Sequence, residues 1–400
     1  MRDRCIVCFG DDWGRTPQTL EYLVRDLLQR NDVIWVNSLG HRRPTFSRKD
    51  FRRIIQKLRL AARQPTLDLP PRLTVIRPLG IPFHEYRFVR KLNALILGRM
   101  VKKHLKRLGA DRPILITNSP INGELVGRLN ERLVAYYCLD DYTAFERMLR
   151  NMKELEEEML GKSDVAFFVS QRLFDLKQNK PQRSYVISQG VETNHFTPRE
   201  PNARTQLDHL PRPIIGYMGW LEKWVDVDLL AYIARKRPDW SVVAMGRSAI
   251  SLEAYRGIPN LHLLKYVPYP ELPGYARGFD VGLIPFKVNE LTLACNPLKL
   301  LEYFSMGTPV VSTPLPEVEK YAPLVSIATG YDEFIAAIEQ ALRNDSPAIR
   351  TERRQKAEAA SWPALLNAQA EAMLEAERAR WNSGRQQDVP SLVETPRQKQ

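Results

Sequence analysis

The 400-residue sequence has few of the side chains that build metal centres and disulfide frameworks. It contains four cysteines and six histidines, and the histidines are scattered without the spacing of metal ligands. Each cysteine lies within or beside an apolar run, so no disulfide framework is expected. The D-x-D at residues 226–228 is interpreted as a helix start. We therefore predict a reducing, cytosolic environment and no bound metal or cofactor.

Long apolar segments are also missing. No stretch approaches the roughly 20 apolar residues of a membrane-spanning helix, and residues 92–101 are interrupted by Asn93 and Arg99. The apolar run after Met1 is too short to predict a signal peptide. No G-x-G-x-x-G follows the first strand of either half, which argues against a Rossmann dehydrogenase. With 44% hydrophobic residues, the chain still has ample material for packed cores.

Positive charge is concentrated in one segment. Residues 41–112 contain 20 Lys and Arg against 4 Asp and Glu, a net +16, whereas the whole chain carries +13. Residues 47–63 predict an amphipathic helix with a capping-box-like start, and residues 85–108 repeat the pattern. The basic residues that we expect at a membrane surface are Arg48, Lys49, Arg52, Arg53, Lys57, Lys102, Lys103 and Lys106.

Three interpretations of this basic segment were weighed. Docking on an anionic membrane fits because each basic residue near such a surface contributes about 1 kcal/mol and basic amphipathic helices lie in the interface. Ordinary core-facing helices with solvated basic faces are the structural alternative. Nucleic-acid binding would need a recognised fold or aromatic interleaving. We expect membrane docking and no nucleic-acid partner.

Short β-branched runs alternate with helical patterns, which predicts parallel sheets with crossover helices. The strand candidates are residues 5–9, 33–36, 74–77, 114–117, 133–138, 165–169, 185–187, 214–218, 241–245, 261–264, 281–285, 310–312 and 325–328. Residues 143–160 predict an amphipathic helix.

The predicted fold class is therefore α/β, with two tandem Rossmann-like, doubly wound domains and a cleft between them. The domains are predicted at 1–196 and 214–362, with a proline-containing linker at 197–213, a closing helix at 363–381 and a disordered tail at 382–400.

Residues 295–311 are the most informative stretch. Asn296 predicts a helix cap and Pro297 the first helical turn. The free N–H groups and the dipole of that helix start predict an anion site, to which Lys299 adds a full charge. Glu302 lies on the same helix face, where its carboxylate can accept hydrogen bonds from two ribose hydroxyls. The structural alternative is an ion pair between Lys299 and Glu302, worth a few tenths of a kcal/mol.

This stretch resembles the donor-site signature of GT-B glycosyltransferases, especially retaining family 4, the glycosyl transferases group 1. In that signature, E-x7-E precedes A-x-G-x-P-V-V. Glu302 matches the second glutamate, which holds the ribose, and Ala294 stands where the first would fall. Residues 216–223 resemble the Y-x-G-R-L opening of the second domain, with Trp220 in place of arginine and Lys223 as the basic candidate for the diphosphate. Residues 245–247 resemble the G-x-G-type turn, and residues 189–196 the N-G-V-D-x-x-x-F run.

The resemblance implies transfer of a sugar from a nucleotide-diphosphate sugar to a hydroxyl of a glycan or lipid-linked acceptor. It implies a metal-independent, retaining reaction, and placement of the enzyme at the cytoplasmic face of the membrane. The predicted donor-binding residues are Gly219, Lys223, Gly246, Arg247, Asn296, Pro297, Leu298, Lys299 and Glu302. A nucleotide-sugar epimerase on the same scaffold and a non-catalytic membrane- or partner-binding relative are the alternatives.

Acidic and polar residues also follow strands of the first domain. Asp12 comes after the first strand and Asp140 after the fifth, so both are predicted to face the cleft, where a carboxylate could orient or deprotonate an acceptor hydroxyl. We predict them as candidate catalytic residues, although caps and turns explain such Asp residues equally well. Residues 118–120 end another strand at the same edge.

Overall fold

Two parallel sheets, one in each half of the chain, organise the structure. In the computed structural model, residues 1–387 are described except for 15–17, 40–68, 79, 82, 147 and 198–204, with side chains described up to 381. The predicted helix at 47–63, and with it Arg48, Lys49, Arg52, Arg53 and Lys57, lies outside the described residues.

The strands of the first sheet are β1 (Cys5–Gly10), β2 (Asp32–Asn37), β3 (Leu73–Ile76), β4 (Ile114–Thr117), β5 (Leu133–Cys138), β6 (Val165–Phe168) and β7 (Arg183–Val186). Those of the second are β8 (Ile214–Met218), β9 (Ser241–Met245), β10 (Leu261–Leu264), β11 (Val281–Ile284), β12 (Val310–Ser312) and β13 (Val325–Ile327). Each predicted strand is present, within a few residues of its predicted bounds.

The strand orders are β3-β2-β1-β4-β5-β6-β7 and β10-β9-β8-β11-β12-β13. Both sheets therefore reverse their winding beside their first strand, between β1 and β4 and between β8 and β11. Crevices beyond the carboxyl ends of the strands at such switch points are where doubly wound sheets bind ligands. The predicted α/β fold with two Rossmann-like units is confirmed.

The α-helices within the described ranges are α1 (Thr19–Leu27), α2 (Arg87–Arg107), α3 (Met152–Gly161), α4 (Gln171–Leu176), α5 (Thr193–Phe196), α6 (Val227–Lys236), α7 (Leu272–Ala276), α8 (Glu290–Leu293), α9 (Leu298–Met306), α10 (Pro316–Glu319), α11 (Tyr331–Asn344), α12 (Pro347–Ala359) and α13 (Trp362–Gln387).

The long C-terminal helix α13 returns to the first half of the chain. Its Trp362, Leu366 and Met373 are buried in the apolar cluster on one face of the first sheet. The Tyr137 hydroxyl, from β5, donates to the Gln369 side chain of this helix at 2.8 Å. Residues 382–387, predicted to be disordered, continue α13, and residues 388–400 lie outside the described residues.

The helix predicted at 143–160 is wrong in its first half. Residues Tyr142–Ala144 form a short 3-10 turn, and α3 begins only at Met152. Phe145 is extended, and its ring packs edge-on against Trp224 of the second half, with centroids 6.2 Å apart. A contact between the two halves therefore replaces the helical turns that the apolar periodicity indicated.

Candidate functional site

Two glycines bring the backbone of the second sheet into close contact at its switch point. Gly219 follows β8 with φ at 135°, and Gly246 follows β9 with φ at 150°. A Cβ on Gly246 would lie 1.9 Å from the Gly219 carbonyl oxygen, and one on Gly219 would lie 2.3 Å from Lys299 Cε. Only glycine adopts such a backbone without strain. Both positions predicted from sequence therefore require glycine.

Lys299 projects from the first turn of α9 into this junction. Its ammonium lies 5.4 Å from the centroid of the Tyr217 ring and 5.4 Å from that of Phe286. Burial lowers the pKa of Lys299, while the Glu302 carboxylate opposes this effect. Within the described part of the chain, the ammonium has no hydrogen-bond or ion-pair partner. Cation–π contacts alone leave its three donors available to an anion.

Glu302 lies on the next turn of the same helix. Burial raises the pKa of its carboxyl to about 7, and the nearby Lys299 charge acts in the opposite direction. Among the described residues its carboxylate has no hydrogen-bond donor, and it forms no ion pair with Lys299. The ion-pair alternative is therefore wrong, and two half-buried charged side chains are left available to a ligand.

The start of α9 differs from the prediction. Asn296 does not cap the helix: Pro297 occupies the N-cap position without a side-chain cap, and Leu298 is the first helical residue. The Asn296 amide instead donates to the Val169 carbonyl, in the loop after β6, at 2.9 Å. Asn296 therefore joins the two halves through this hydrogen bond and does not cap α9, although asparagine is a favoured N-cap residue.

The turn between α8 and α9 contacts the same loop of the first half. The Ala294 carbonyl accepts a 2.7 Å hydrogen bond from the Ser170 hydroxyl, and the Ala294 side chain is buried in an apolar cluster of the first half. Position 294, where the resemblance placed a first glutamate, is thus a packing contact.

The remaining predicted donor-site residues are more exposed. Lys223 pairs with Glu146 of the first half at 2.6 Å, and both side chains are largely exposed. The Arg247 guanidinium lies over the Tyr266 ring, 4.3 Å from its centroid. Among the described residues, neither Lys223 nor Arg247 forms a hydrogen bond or ion pair with Lys299 or Glu302.

Asp140 follows β5 by two residues, at the carboxyl end of a strand of the first sheet. Its pKa is raised to about 7 by burial and by the neighbouring charges of Asp11, Asp141 and Glu156. Burial raises the pKa of Cys295, in the turn before α9, and the Asp140 charge adds to this effect. No described residue donates a hydrogen bond to its carboxylate. An unpartnered carboxyl with a pKa near neutrality can accept or donate a proton.

Asp12, the second predicted catalytic residue, lies at the edge of the first sheet. Its Oδ1 accepts a 3.1 Å hydrogen bond from the Asn37 amide, at the end of β2. Asp12 is exposed, so solvent screens its charge more than that of Asp140. Asp141 is structural, because its Oδ1 accepts from Thr143 and pairs with Lys177 at 3.0 Å.

A buried ionic network beneath Asp140 was not predicted from sequence. Lys177 bridges Asp141 and Glu156, at 3.0 and 2.9 Å, and Glu156 also accepts from the Tyr136 hydroxyl at 2.8 Å. These groups are far apart in sequence and share no motif. The helical spacing of 152–160 placed Glu156 on a helix without indicating that it is buried.

A second unpredicted cluster joins the halves near Glu302. Tyr22 of α1 and Tyr269 of the second half both donate to Glu192 Oε2, at 2.9 and 2.8 Å. The Glu302 charge contributes to the raised pKa values of both tyrosines, so the cluster lies beside the α9 site. The only sequence signal was Glu192, inside the 189–196 motif.

The described residues lack two features that other functions would use. No group of three or more His, Cys, Asp or Glu among them could hold a metal ion. No helix among them is both long and apolar enough to cross a membrane.

The two parallel sheets have the arrangement of the GT-B fold. Residues 212–344 match the family model described as "Glycosyl transferases group 1", and this region contains both glycines, Lys299 and Glu302. The resemblance that the sequence motifs predicted is therefore confirmed.

Individual relatives agree with this class. The chain is 28% identical over 195 residues to a protein of Bacillus subtilis (strain 168) whose name provisionally assigns it to teichuronic acid biosynthesis as a glycosyltransferase. That alignment covers 46% of this chain and 49% of the relative, so it spans about half the relative's length.

Solved structures cover nearly the whole chain. A sucrose-phosphate synthase from Thermosynechococcus elongatus matches 94% of this chain and 100% of its own, with a TM-score of 0.71 and 15% identity. Anabaena HepE, solved in complex with UDP and glucose, matches 92% of this chain and 98% of its own, with a TM-score of 0.64 and 13% identity. At these identities the likeness establishes the fold.

Proposed function

We propose that the protein is a glycosyltransferase that moves a sugar from a nucleotide-diphosphate sugar to an acceptor hydroxyl. The observation that carries the proposal is the pair formed by Lys299 and Glu302, two unpartnered charged groups on one helix end at the switch point of the second sheet. An ammonium beside free helix N–H groups suits a diphosphate, and a carboxylate one turn further suits a ribose.

The leaving group is stabilised electrostatically in this proposal. As the bond between the sugar and the diphosphate breaks, negative charge develops on the diphosphate. In this proposal Lys299 and the first N–H groups of α9 bind the diphosphate and stabilise that charge, and their fixed orientation requires little reorganisation. We propose that these groups make a metal unnecessary.

Asp140 is the proposed acid–base residue on the acceptor side. Its pKa near 7 and its position at the carboxyl end of β5 suit a group that receives the proton of the acceptor hydroxyl. Asp12, exposed and bound to Asn37, would orient the acceptor. Retention of anomeric configuration is proposed from the family resemblance.

We also propose that the first half docks on an anionic membrane, where a lipid-linked or growing glycan acceptor would be reached. The solvent face of α2 supports this proposal. Phe88, Leu92 and Leu95 are exposed to 70%, 42% and 41%, one or two turns apart on the helix. The basic residues Lys102 and Lys103 continue the same face and are exposed. Apolar insertion beside basic charge is how interfacial helices bind.

Product analysis tests the activity. The full-length protein is incubated with several UDP-sugars, with and without simple glycosides as acceptors, and products are followed by NMR. We expect free nucleotide and a new glycosidic linkage only with acceptor, in the anomeric configuration of the donor, and a rate reduced about 10–100-fold in Glu302→Ala.

The outcomes separate the alternatives. An isomerised donor in acceptor-free buffer would indicate an epimerase. If neither the wild type nor Glu302→Ala converts any donor, the protein is a binding protein without catalysis. Glu358→Ala, on the surface of α12, is the matched control and should act as wild type.

A further inference from the structure

Helix α3 carries a buried glutamate that the proposed reaction has not yet used. Glu156 is 1% exposed, and a carboxylate so deeply buried stays ionised only when a cation and hydrogen-bond donors replace its lost hydration. The Lys177 ammonium lies 2.9 Å from its Oε2, and the Tyr136 hydroxyl donates to its Oε1 at 2.8 Å. Glu156 therefore has the partners that an ionised carboxylate needs.

Lys177 connects this glutamate to the turn that follows β5. Its ammonium also pairs with Asp141 Oδ1 at 3.0 Å, and the same oxygen accepts hydrogen bonds from the Thr143 N–H and hydroxyl, at 3.2 and 2.7 Å. The side chains of Glu156, Lys177 and Asp141, here called the α3 network, are each at most 10% exposed, so solvent screens them weakly. One ammonium is shared by two buried carboxylates, which leaves the network with a net negative charge.

The backbone on both sides of Asp140 is held by side-chain contacts. Asp141, the next residue, belongs to the α3 network, and the sulfur of Cys138, at the end of β5, lies 3.8 Å from the Asp140 carbonyl oxygen. The Tyr142 hydroxyl donates to the Asn118 carbonyl, directly after β4, at 2.8 Å. The position of the Asp140 carboxyl is therefore set by its neighbours, since no described residue donates a hydrogen bond to it.

The charges that act on Asp140 come from three elements and are negative. Burial raises the pKa of its carboxyl to about 7, and the charges of Asp11, Asp141 and Glu156 add to this effect. Asp11 is exposed, so solvent screens it, whereas Glu156 is buried. The neutral titratable groups that interact with Asp140 are Cys138, Tyr142 and, from the second half, Cys295, whose pKa values burial raises.

We propose that Glu156 is a positioning residue for Asp140: through Lys177 it holds the turn that carries Asp140, and it keeps a buried negative charge next to that turn. The inference rests on the proposed function, in which Asp140 receives the proton of the acceptor hydroxyl. A nearby like charge in a weakly screened surrounding keeps a proton on a carboxyl to higher pH. A base that titrates near the working pH transfers protons most effectively.

The substitution Glu156→Gln tests the charge separately from the packing. The glutamine keeps the size and an oxygen that can accept from Tyr136, and Lys177 keeps Asp141 as its partner. The titration of Asp140 is followed by NMR of the full-length protein labelled with carbon-13 at the aspartate carboxyl carbon, and Asp140→Asn identifies the resonance. We expect a midpoint of about 7 in the wild type, lowered by about one pH unit in Glu156→Gln.

A matched control and a second variant accompany this measurement. Glu154→Gln, on the exposed side of the same helix, should leave the Asp140 midpoint unchanged. In Asp141→Asn, the amide oxygen can still accept from Thr143 and Lys177 keeps Glu156, so the midpoint should also fall. An unchanged midpoint in folded Glu156→Gln, or in Asp141→Asn if the first variant does not fold, would overturn the proposal. A wild-type midpoint of about 4, the ordinary value of aspartate, would overturn it without any variant.

The pH profile of kcat/KM distinguishes this role from general support of the fold. In Glu156→Gln the acid limb of the profile should move to lower pH by as much as the NMR midpoint, with the affinity for UDP unchanged. A rate lowered equally at every pH, with the acid limb in place, would show that Glu156 only supports the fold and would refute the proposal.

Failure of this proposal can be told apart from failure of the proposed function. An Asp140 midpoint that falls in Glu156→Gln, in a protein that transfers no sugar, would uphold the α3 network and sink the transferase. A transferase whose Asp140 midpoint and acid limb ignore Glu156→Gln would do the reverse.

Discussion

Glu302 is the residue whose charge state matters most for the donor site. Burial holds its pKa at about 7, so at physiological pH the free site contains both the acid and the carboxylate. The ionised carboxylate can accept hydrogen bonds from both ribose hydroxyls. The protonated acid accepts fewer, because one of its oxygens carries the proton. Donor binding should therefore favour the ionised form.

This coupling predicts a pH dependence of binding. The affinity for UDP-glucose should rise between about pH 6 and pH 8 and level off above, with a proton released on binding near pH 7. Calorimetry in two buffers of different ionisation enthalpy measures that proton. Glu302→Gln should abolish the release, whereas Asp140→Asn should keep it; proton release that persists in Glu302→Gln would show that another group titrates.

The same raised pKa has a consequence for stability, with a definite sign. Between an unfolded pKa of about 4.5 and the folded value of about 7, the folded protein holds a proton that the unfolded chain releases. The free energy of unfolding contributed by Glu302 therefore falls as pH rises through that window. Asp140, raised from 3.8 to about 7, acts in the same direction.

Single elements show which structural features a sequence can reveal. Most strands were predictable because they are short apolar runs buried in a parallel sheet, as β5 and β9 are, with all residues buried. Gly307 ends α9 in the left-handed conformation, with φ at 80°, as glycine commonly does at the C-terminus of a helix. Local patterning was sufficient where the local environment decides the structure.

Prediction failed where distant contacts decide. Asn296 has the chemistry of a helix cap, yet its amide is used by the Val169 carbonyl of the other half. Phe145 follows the helical period of 143–160, but its ring packs on Trp224. The sequence identified Asn118 only as the first residue after a strand. Lys299 and Glu302 were found because their one-turn spacing on a helix is itself a local pattern.

The exposed face of helix α2 leads to a prediction about membrane binding. If the solvent face of α2 docks on membranes, the double variant Phe88→Glu with Leu92→Glu should sediment severalfold less with phosphatidylglycerol-containing liposomes. The double variant Lys102→Glu with Lys103→Glu should make that sedimentation less dependent on salt.

Neutral phosphatidylcholine liposomes and the matched double reversal Lys356→Glu with Arg378→Glu, both exposed, serve as controls. If all variants sediment equally at low and high salt, the exposed face of α2 does not bind membranes and is an ordinary solvated surface.

In the molecule as a whole, hydrogen bonds join the two halves at two places. The Asn296 amide donates to the Val169 carbonyl, and Tyr22 and Tyr269 both donate to Glu192. Helix α13 then crosses back onto the first sheet. The α9 site therefore belongs to a molecule whose two halves are held together by hydrogen bonds and by α13.

The central claim is that Lys299 and Glu302 bind a nucleoside diphosphate, and titration calorimetry with UDP tests it most directly. We predict binding to the wild type, weakening of about 10–100-fold in Lys299→Met and in Glu302→Ala, and no change in Lys356→Met on exposed α12. Binding by both site variants with wild-type affinity, or failure of UDP and the other nucleoside diphosphates to bind the wild type, would contradict the account.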